Sequence, residues 1–221
     1  TVSSGNLFFI AHDDIAGEEL WISNGTESGT LLLKDIVAGT SSSEPESLID
    51  VSGTLFFSAD ENNTGRELWI SDGTETGTIL VRDIYTGTSG SRPENLTDVD
   101  GTLFFSADDG VHGRELWRSD GTEQGTFIVK EIRTGSDGSA PSSLTEINGL
   151  LYFRAYDGIH GDELWRSDGT EQGTFMAKDI RSGTDGSSSG CEEDSFLTEV
   201  NNLLYFNAND GTHGEELWRS D

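Results

Sequence analysis

The chain has 221 residues, about a third of them apolar, enough to bury the core of one or two ordinary domains or of a single larger all-β one. Asp and Glu number 41 against 13 Lys and Arg, a formal net charge of -28 that repels nucleic acid and other polyanions. A single cysteine, Cys191, excludes an intramolecular disulfide, and no apolar run approaches the ~20 residues that a membrane-spanning helix needs.

Thr1 to Ser4 reads as the end of an inner β-strand, and Thr1 to Ile10 lacks the basic start of a secretory signal, so a targeting segment is expected to have been removed or to lie outside this sequence. From there the chain repeats itself. Glu-Leu-Trp occurs at Glu19 to Trp21, Glu67 to Trp69, Glu115 to Trp117, Glu163 to Trp165 and Glu216 to Trp218, and the tryptophans recur at intervals of 48, 48, 48 and 53 residues. That period belongs to propeller blades rather than to short solenoid coils. The repeats run approximately over 5–52, 53–100, 101–148 and 149–201, with a partial copy at 202–221, and make up one domain over 1–221.

Within the third repeat, apolar, β-branched and aromatic runs at Leu103 to Ala107, Glu115 to Ser119 and Thr126 to Ile132 are separated by Gly, Asp and Ser clusters, and Leu144 to Ile147 leads into the following unit. Asp108 to Arg114 joins the first two runs. Asp120-Gly121-Thr122 turns into the third, because glycine accepts positive φ and aspartate hydrogen-bonds the turn backbone. The pattern predicts an all-β five-bladed β-propeller of four-stranded antiparallel blades, whose radial closure protects sheet edges.

The longer fourth interval holds an insertion, Ser187 to Ser195, with Cys191 inside it, which reads as an elaborated surface loop and as the one break in the symmetry. The last copy stops at Asp221, before its outer strand. The fifth blade is therefore expected to have three strands unless residues beyond this sequence or another chain complete it, by homo-oligomer formation or strand exchange.

Four sets of equivalent residues are candidates for function. Trp21, Trp69, Trp117, Trp165 and Trp218 are natural fillers between neighbouring sheets, or else sugar-stacking platforms. Glu19, Glu67, Glu115, Glu163 and Glu216 are expected to form cross-strand ion pairs with Lys34, Arg82, Lys130 and Lys178. A fivefold repeated acid does not make the differentiated acid and base that hydrolysis needs, so the expectation is that the chain is not an enzyme. Asp13, Glu61, Asp109, Asp157 and Asp210, in the loops before each Glu-Leu-Trp, are candidate oxygen ligands for Ca2+, set against plain turn formation. His112, His160 and His213 recur in Gly-x-His-Gly on separate repeats, too far apart to share an ion, and read as loop caps.

The phrase Glu-Leu-Trp-Arg-Ser-Asp-Gly-Thr at Glu115 to Thr122 and Glu163 to Thr170, with Gly-Thr at Gly125-Thr126 and Gly173-Thr174, resembles the bacterial ELWxxDGT repeat family. Glu67 to Thr74 fits as well, and Asn24 replaces the aspartate in the first copy. The resemblance implies a secreted or cell-surface protein of propeller-like build, with no defined catalytic activity to carry over. The blade number is also that of five-bladed animal lectins of the tachylectin type, whose motifs this sequence does not share. The expected function is an extracellular, non-catalytic module for adhesion or assembly of a surface structure, with glycans or other protein chains as partners. The alternative is a multivalent lectin with one shallow pocket per blade.

Overall fold

The computed structural model describes residues 1–187 and 197–220, which contain no helix and fold into five antiparallel sheets. The first sheet comprises β1 (Val2–Ser3), β2 (Asn6–Asp13), β3 (Gly17–Ser23) and β4 (Thr30–Lys34), and the second β5 (Glu46–Val51), β6 (Thr54–Glu61), β7 (Gly65–Ser71) and β8 (Ile79–Arg82). The third holds β9 (Glu94–Val99), β10 (Thr102–Asp108), β11 (Arg114–Ser119) and β12 (Phe127–Lys130). The fourth holds β13 (Ser142–Ile147), β14 (Leu150–Tyr156), β15 (Asp162–Ser167) and β16 (Phe175–Lys178). The fifth has three strands, β17 (Leu197–Val200), β18 (Leu203–Asn209) and β19 (Glu215–Ser220). Every sheet is a meander in chain order, and the first strands of successive sheets lie side by side, β5 by β9, β9 by β13 and β13 by β17. This is a propeller-like fold with those strands innermost. Of the insertion Ser187 to Ser195, all but Ser187, Cys191 included, lies outside the described residues.

Both faces of the second, third and fourth sheets are apolar because each is covered by a neighbour. Phe8, Leu20, Ile22 and Leu33 of the first sheet meet Leu55, Phe57, Ala59 and Trp69 of the second in one cluster. The same positions, moved on by one repeat each time, join the second sheet to the third, the third to the fourth and the fourth to the fifth. Alternation along β6 supplies this two-sidedness, since Leu55, Phe57 and Ala59 point back and Phe56 points forward. Each fully buried phenylalanine or leucine contributes about 1.5–3 kcal/mol.

The Ser-Asp-Gly-Thr-x-x-Gly-Thr phrase is a self-contained turn. In the third sheet, Asp120 Oδ1 accepts from Thr122 N at 2.9 Å and Thr122 Oγ1 at 2.7 Å. Thr126 Oγ1 donates to Thr122 O at 2.7 Å, which leaves the Ser119 hydroxyl to donate to Thr126 Oγ1 at 2.7 Å and to accept from Gly121 N at 3.0 Å. Gly125 is obligatory, because a Cβ there would lie 1.9 Å from Asp120 Oδ1. Ser119 and Thr126 are fully buried. Replacing Ser119 by Ala strands the Gly121 N–H and is expected to cost about 1–2 kcal/mol, read by denaturant unfolding. A loss under a few tenths would show that the turn holds without its hydroxyl bridge.

The glutamates do not pair with the basic residues of the fourth strands. Glu67, fully buried, accepts from Ser91 Oγ at 2.5 Å, Ser91 N at 2.9 Å and Tyr85 N at 2.9 Å, so it clamps the loop that leads to the next blade. Glu19 holds Ser43 and Val37 in the same way, and Glu115 holds Ser139, Ile132 and Arg133. The cations reach forward instead: Lys34 Nζ donates to Thr78 O at 2.8 Å, Arg82 Nη1 to Thr126 O at 2.5 Å and Lys130 Nζ to Thr174 O at 2.7 Å. Register explains the error. Leu68 stands opposite Arg82, with a bulge between Leu68 and Trp69, so Arg82 shares the face of Leu68 and Glu67 points to the other one.

Candidate functional site

The loops between second and third strands, and those between one blade and the next, crowd one end of the sheets. They are pressed together, as Gly65 and Gly90 show: both have positive φ, and a Cβ on Gly90 would lie 2.3 Å from Arg66 N. Side chains lock adjacent blades here as well. Tyr85 lies over Gly110, Arg133 over Gly158 with its guanidinium 4.8 Å from the Tyr156 ring centre, and Arg181 over Gly211.

Each second-to-third-strand loop is built on its acidic residue. Asp109 Oδ1 accepts from Val111 N at 2.9 Å and His112 N at 2.8 Å, and its Oδ2 accepts the His112 Nδ1 proton at 2.7 Å. Asp157 does the same for Ile159 and His160, and Asp210 for Thr212 and His213. Asp13, with Ala16 in the histidine's place, accepts from Ile15 N and Ala16 N, and Glu61 accepts from Asn63 Nδ2 and Thr64 Oγ1. The five acids, Ca2+ candidates by sequence, are thus each engaged in their own turn. Among the described residues no group of three or more His, Cys, Asp or Glu side chains is placed to hold a metal ion.

The hydrogen bond to Asp157 raises the His160 pKa above its ordinary 6.5, and His112 and His213 are raised by the same kind of partner. Asp157→Asn removes the charge that favours the imidazolium. The His160 titration, followed by NMR, is expected to move down toward the ordinary value while the loop keeps its fold. An unmoved titration would assign the shift to the more distant acids instead.

What the loops display is their tips. Ile15, Val111 and Ile159 occupy equivalent tip positions and stand out into solvent, 65–80% exposed, with Asn63 and Thr212 in the other two loops. Sequence reasoning missed them, because it searched for chemistry in the invariant part of the repeat. The signal was there: an isolated apolar residue between Asp and Gly in a polar turn. The tryptophans are placed differently. Trp69, Trp117 and Trp165 are buried between sheets and present no stacking face, whereas Trp21 and Trp218, in the two end sheets, are half-buried.

No family model and no curated protein matches the chain. Solved structures do. A puromycin hydrolase matches over the whole chain with a TM-score of 0.57 at 14% identity, and this chain spans 37% of that hydrolase's length. A Bacteroides ovatus xyloglucan protein of the GH43 group matches all of the chain and 50% of its own length, with a TM-score of 0.40 at 13% identity. A GH43 endo-arabinanase from Bacillus licheniformis matches all of the chain and 91% of its own length, with a TM-score of 0.33 at 17% identity. At these identities the likeness shows the fold alone. It also overturns the expectation that the chain is no enzyme: this fold occurs in a protein named as a hydrolase, and a repeated scaffold is therefore no argument against catalysis.

Proposed function

We propose that the chain is an extracellular adhesion module that grips a repetitive partner through its rim of equivalent loops. The observation that carries this reading is the set of exposed aliphatic tips, Ile15, Val111 and Ile159, held at one position per blade on turns that their own Asp residues make rigid. A rigid turn loses little entropy on binding, and several weak contacts on one scaffold combine through effective concentration. Aliphatic tips favour a protein surface over a sugar, because sugar recognition draws on exposed aromatic rings and three of the five tryptophans are buried. The surface location agrees with the repeat-family resemblance.

Binding of the protein to immobilised fibrous extracellular proteins, with a glycan array in parallel, tests it. A single change such as Val111→Asp is expected to weaken retention several-fold, and the triple variant with Ile15→Asp and Ile159→Asp to abolish it, with melting unchanged because the tips are exposed. Retention on the glycan array alone, indifferent to the tips, would sink the reading in favour of a lectin.

A further inference from the structure

The chain contains two Asn-Gly steps, Asn24-Gly25 and Asn148-Gly149, and the fold treats them differently. Asn24 stands where the next three copies carry Asp72, Asp120 and Asp168. All four residues are exposed, so access to Asn24 owes nothing to its place in the first sheet.

The turn that Asn24 occupies is built around a carboxylate. Asp72 Oδ1 accepts from Thr74 N at 2.9 Å and Thr74 Oγ1 at 2.7 Å, and Asp168 Oδ1 accepts from Thr170 at the same two distances. Asn24 puts an amide carbonyl into that cradle: its Oδ1 accepts from Thr26 N at 3.1 Å and from Thr26 Oγ1 at 2.7 Å. A backbone N–H only donates, so the oxygen of the amide and not its nitrogen faces Thr26. Two donors on that oxygen draw electrons from Cγ, and they stand where negative charge develops when a nucleophile adds to Cγ. The next residue supplies the nucleophile, since Gly25 N closes a five-membered ring on Asn24 Cγ and no side chain blocks its approach. The Gly25 N–H is held by Ser23 Oγ at 3.1 Å, and that hydroxyl meets Thr30 Oγ1 at 2.7 Å. Asn148 has none of this. It is exposed in the tight turn between β13 and β14, with a φ of 54°, and among the described residues no donor is hydrogen-bonded to its side-chain oxygen.

We propose that Asn24 deamidates within the folded protein, with Gly25 N as nucleophile and the two Thr26 donors as its oxyanion hole. The Gly25 N–Cγ bond forms while Thr26 holds the charge on Oδ1. The Cγ–Nδ2 bond then breaks, and ammonia leaves with the proton that Gly25 N gives up. Water opens the ring, and when its hydroxyl goes to Cγ and its proton to Gly25 N the product is an aspartate. The balance is amide plus water to acid plus ammonia, with no oxidant or reductant. The first turn then carries the carboxylate that the same cradle holds at Asp72, Asp120 and Asp168.

Peptide mapping by mass spectrometry of the 221-residue protein, kept folded at mildly alkaline pH, tests this. Asn24 is expected to lose ammonia about tenfold faster than Asn148. In denaturant the two are expected to react alike, which assigns the difference to the fold. Thr26→Val removes the hydroxyl donor at an exposed position and is expected to slow Asn24 severalfold while Asn148 keeps its rate; Thr26→Ser, which keeps the hydroxyl, is expected to keep the rate at Asn24. An Asn24 still intact after Asn148 has reacted overturns the proposal. So does a Thr26→Val variant that reacts as fast as the unchanged protein, or a gap between the two sites that survives in denaturant.

Discussion

Replacing Glu115 by Ala is expected to cost about 4 kcal/mol in chemical unfolding. The carboxylate is fully buried, and its loss leaves three donors without an acceptor: Ser139 Oγ, now at 2.5 Å, Arg133 N at 3.0 Å and Ile132 N at 3.2 Å. A desolvated donor left unpaired costs about 1–3 kcal/mol, and the space vacated by the side chain adds to that. Glu115→Gln keeps one acceptor oxygen and is expected to lose less than half as much. Glu216 provides the internal contrast. It holds the same repeat position but is exposed in the fifth sheet, so Glu216→Ala is expected to stay within about 0.5 kcal/mol of the unchanged protein. Equal losses for the two alanines would mean that the clamp contributes nothing beyond local strand preference.

The same residues show why architecture was legible in the sequence and chemistry was not. The 48-residue interval and the four runs per repeat placed the strands to within a residue or three: Leu103 to Ala107 became Thr102–Asp108, and Thr126 to Ile132 became Phe127–Lys130. Period-2 alternation and Gly-Asp turns are local signals, and they suffice for a meander. Partnership across strands is not local. One bulged residue, Val129, opposite the step from Leu116 to Trp117, decides which face Lys130 shares, and nothing in the spacing of Glu115 and Lys130 reveals that bulge. The glutamate partners lie further still, in a loop 24 residues on, where Ser139 looked like any other loop serine.

Repetition misled in a second way. It drew attention to what every blade shares, and in this chain the shared residues are structural: Glu clamps the connecting loop, Leu and Trp fill the space between sheets, and Ser, Asp, Gly and Thr close a turn. The proposed function rests instead on positions where the copies differ. These are the exposed tips at Ile15, Val111 and Ile159.

Stability is expected to be greatest at mildly acidic pH and to fall between about pH 5 and pH 8, against the usual behaviour of a protein rich in carboxylates. Burial pushes Glu67 up to about 7 from 4.5, against the pull of the hydrogen bonds it accepts, and raises Glu19, Glu115 and Glu163 in the same direction. A carboxyl whose pKa is higher in the fold holds its proton more tightly there than in the unfolded chain. Protonation thus favours the fold: the contribution is complete below about pH 4.5 and is lost as pH climbs through 7. For Glu67 alone it amounts to about 3 kcal/mol, at 1.36 kcal/mol per unit. The Asp–His pairs act in the same sense, since His112, His160 and His213 are also raised. Below pH 4 the balance reverses, because the threonine hydrogen bonds of Asp72, Asp120 and Asp168 lower those carboxyls and their stabilisation disappears on protonation. Melting from pH 4 to pH 8 in high salt, which screens the repulsion among the surface acids but not the buried carboxyls, is expected to show the decline. Glu67→Gln, which has no proton to lose, is expected to flatten it. A melting temperature that rises steadily with pH, or a Glu67→Gln curve parallel to that of the unchanged protein, would mean that the buried glutamates are ionised in the fold, fully compensated by the donors that surround them.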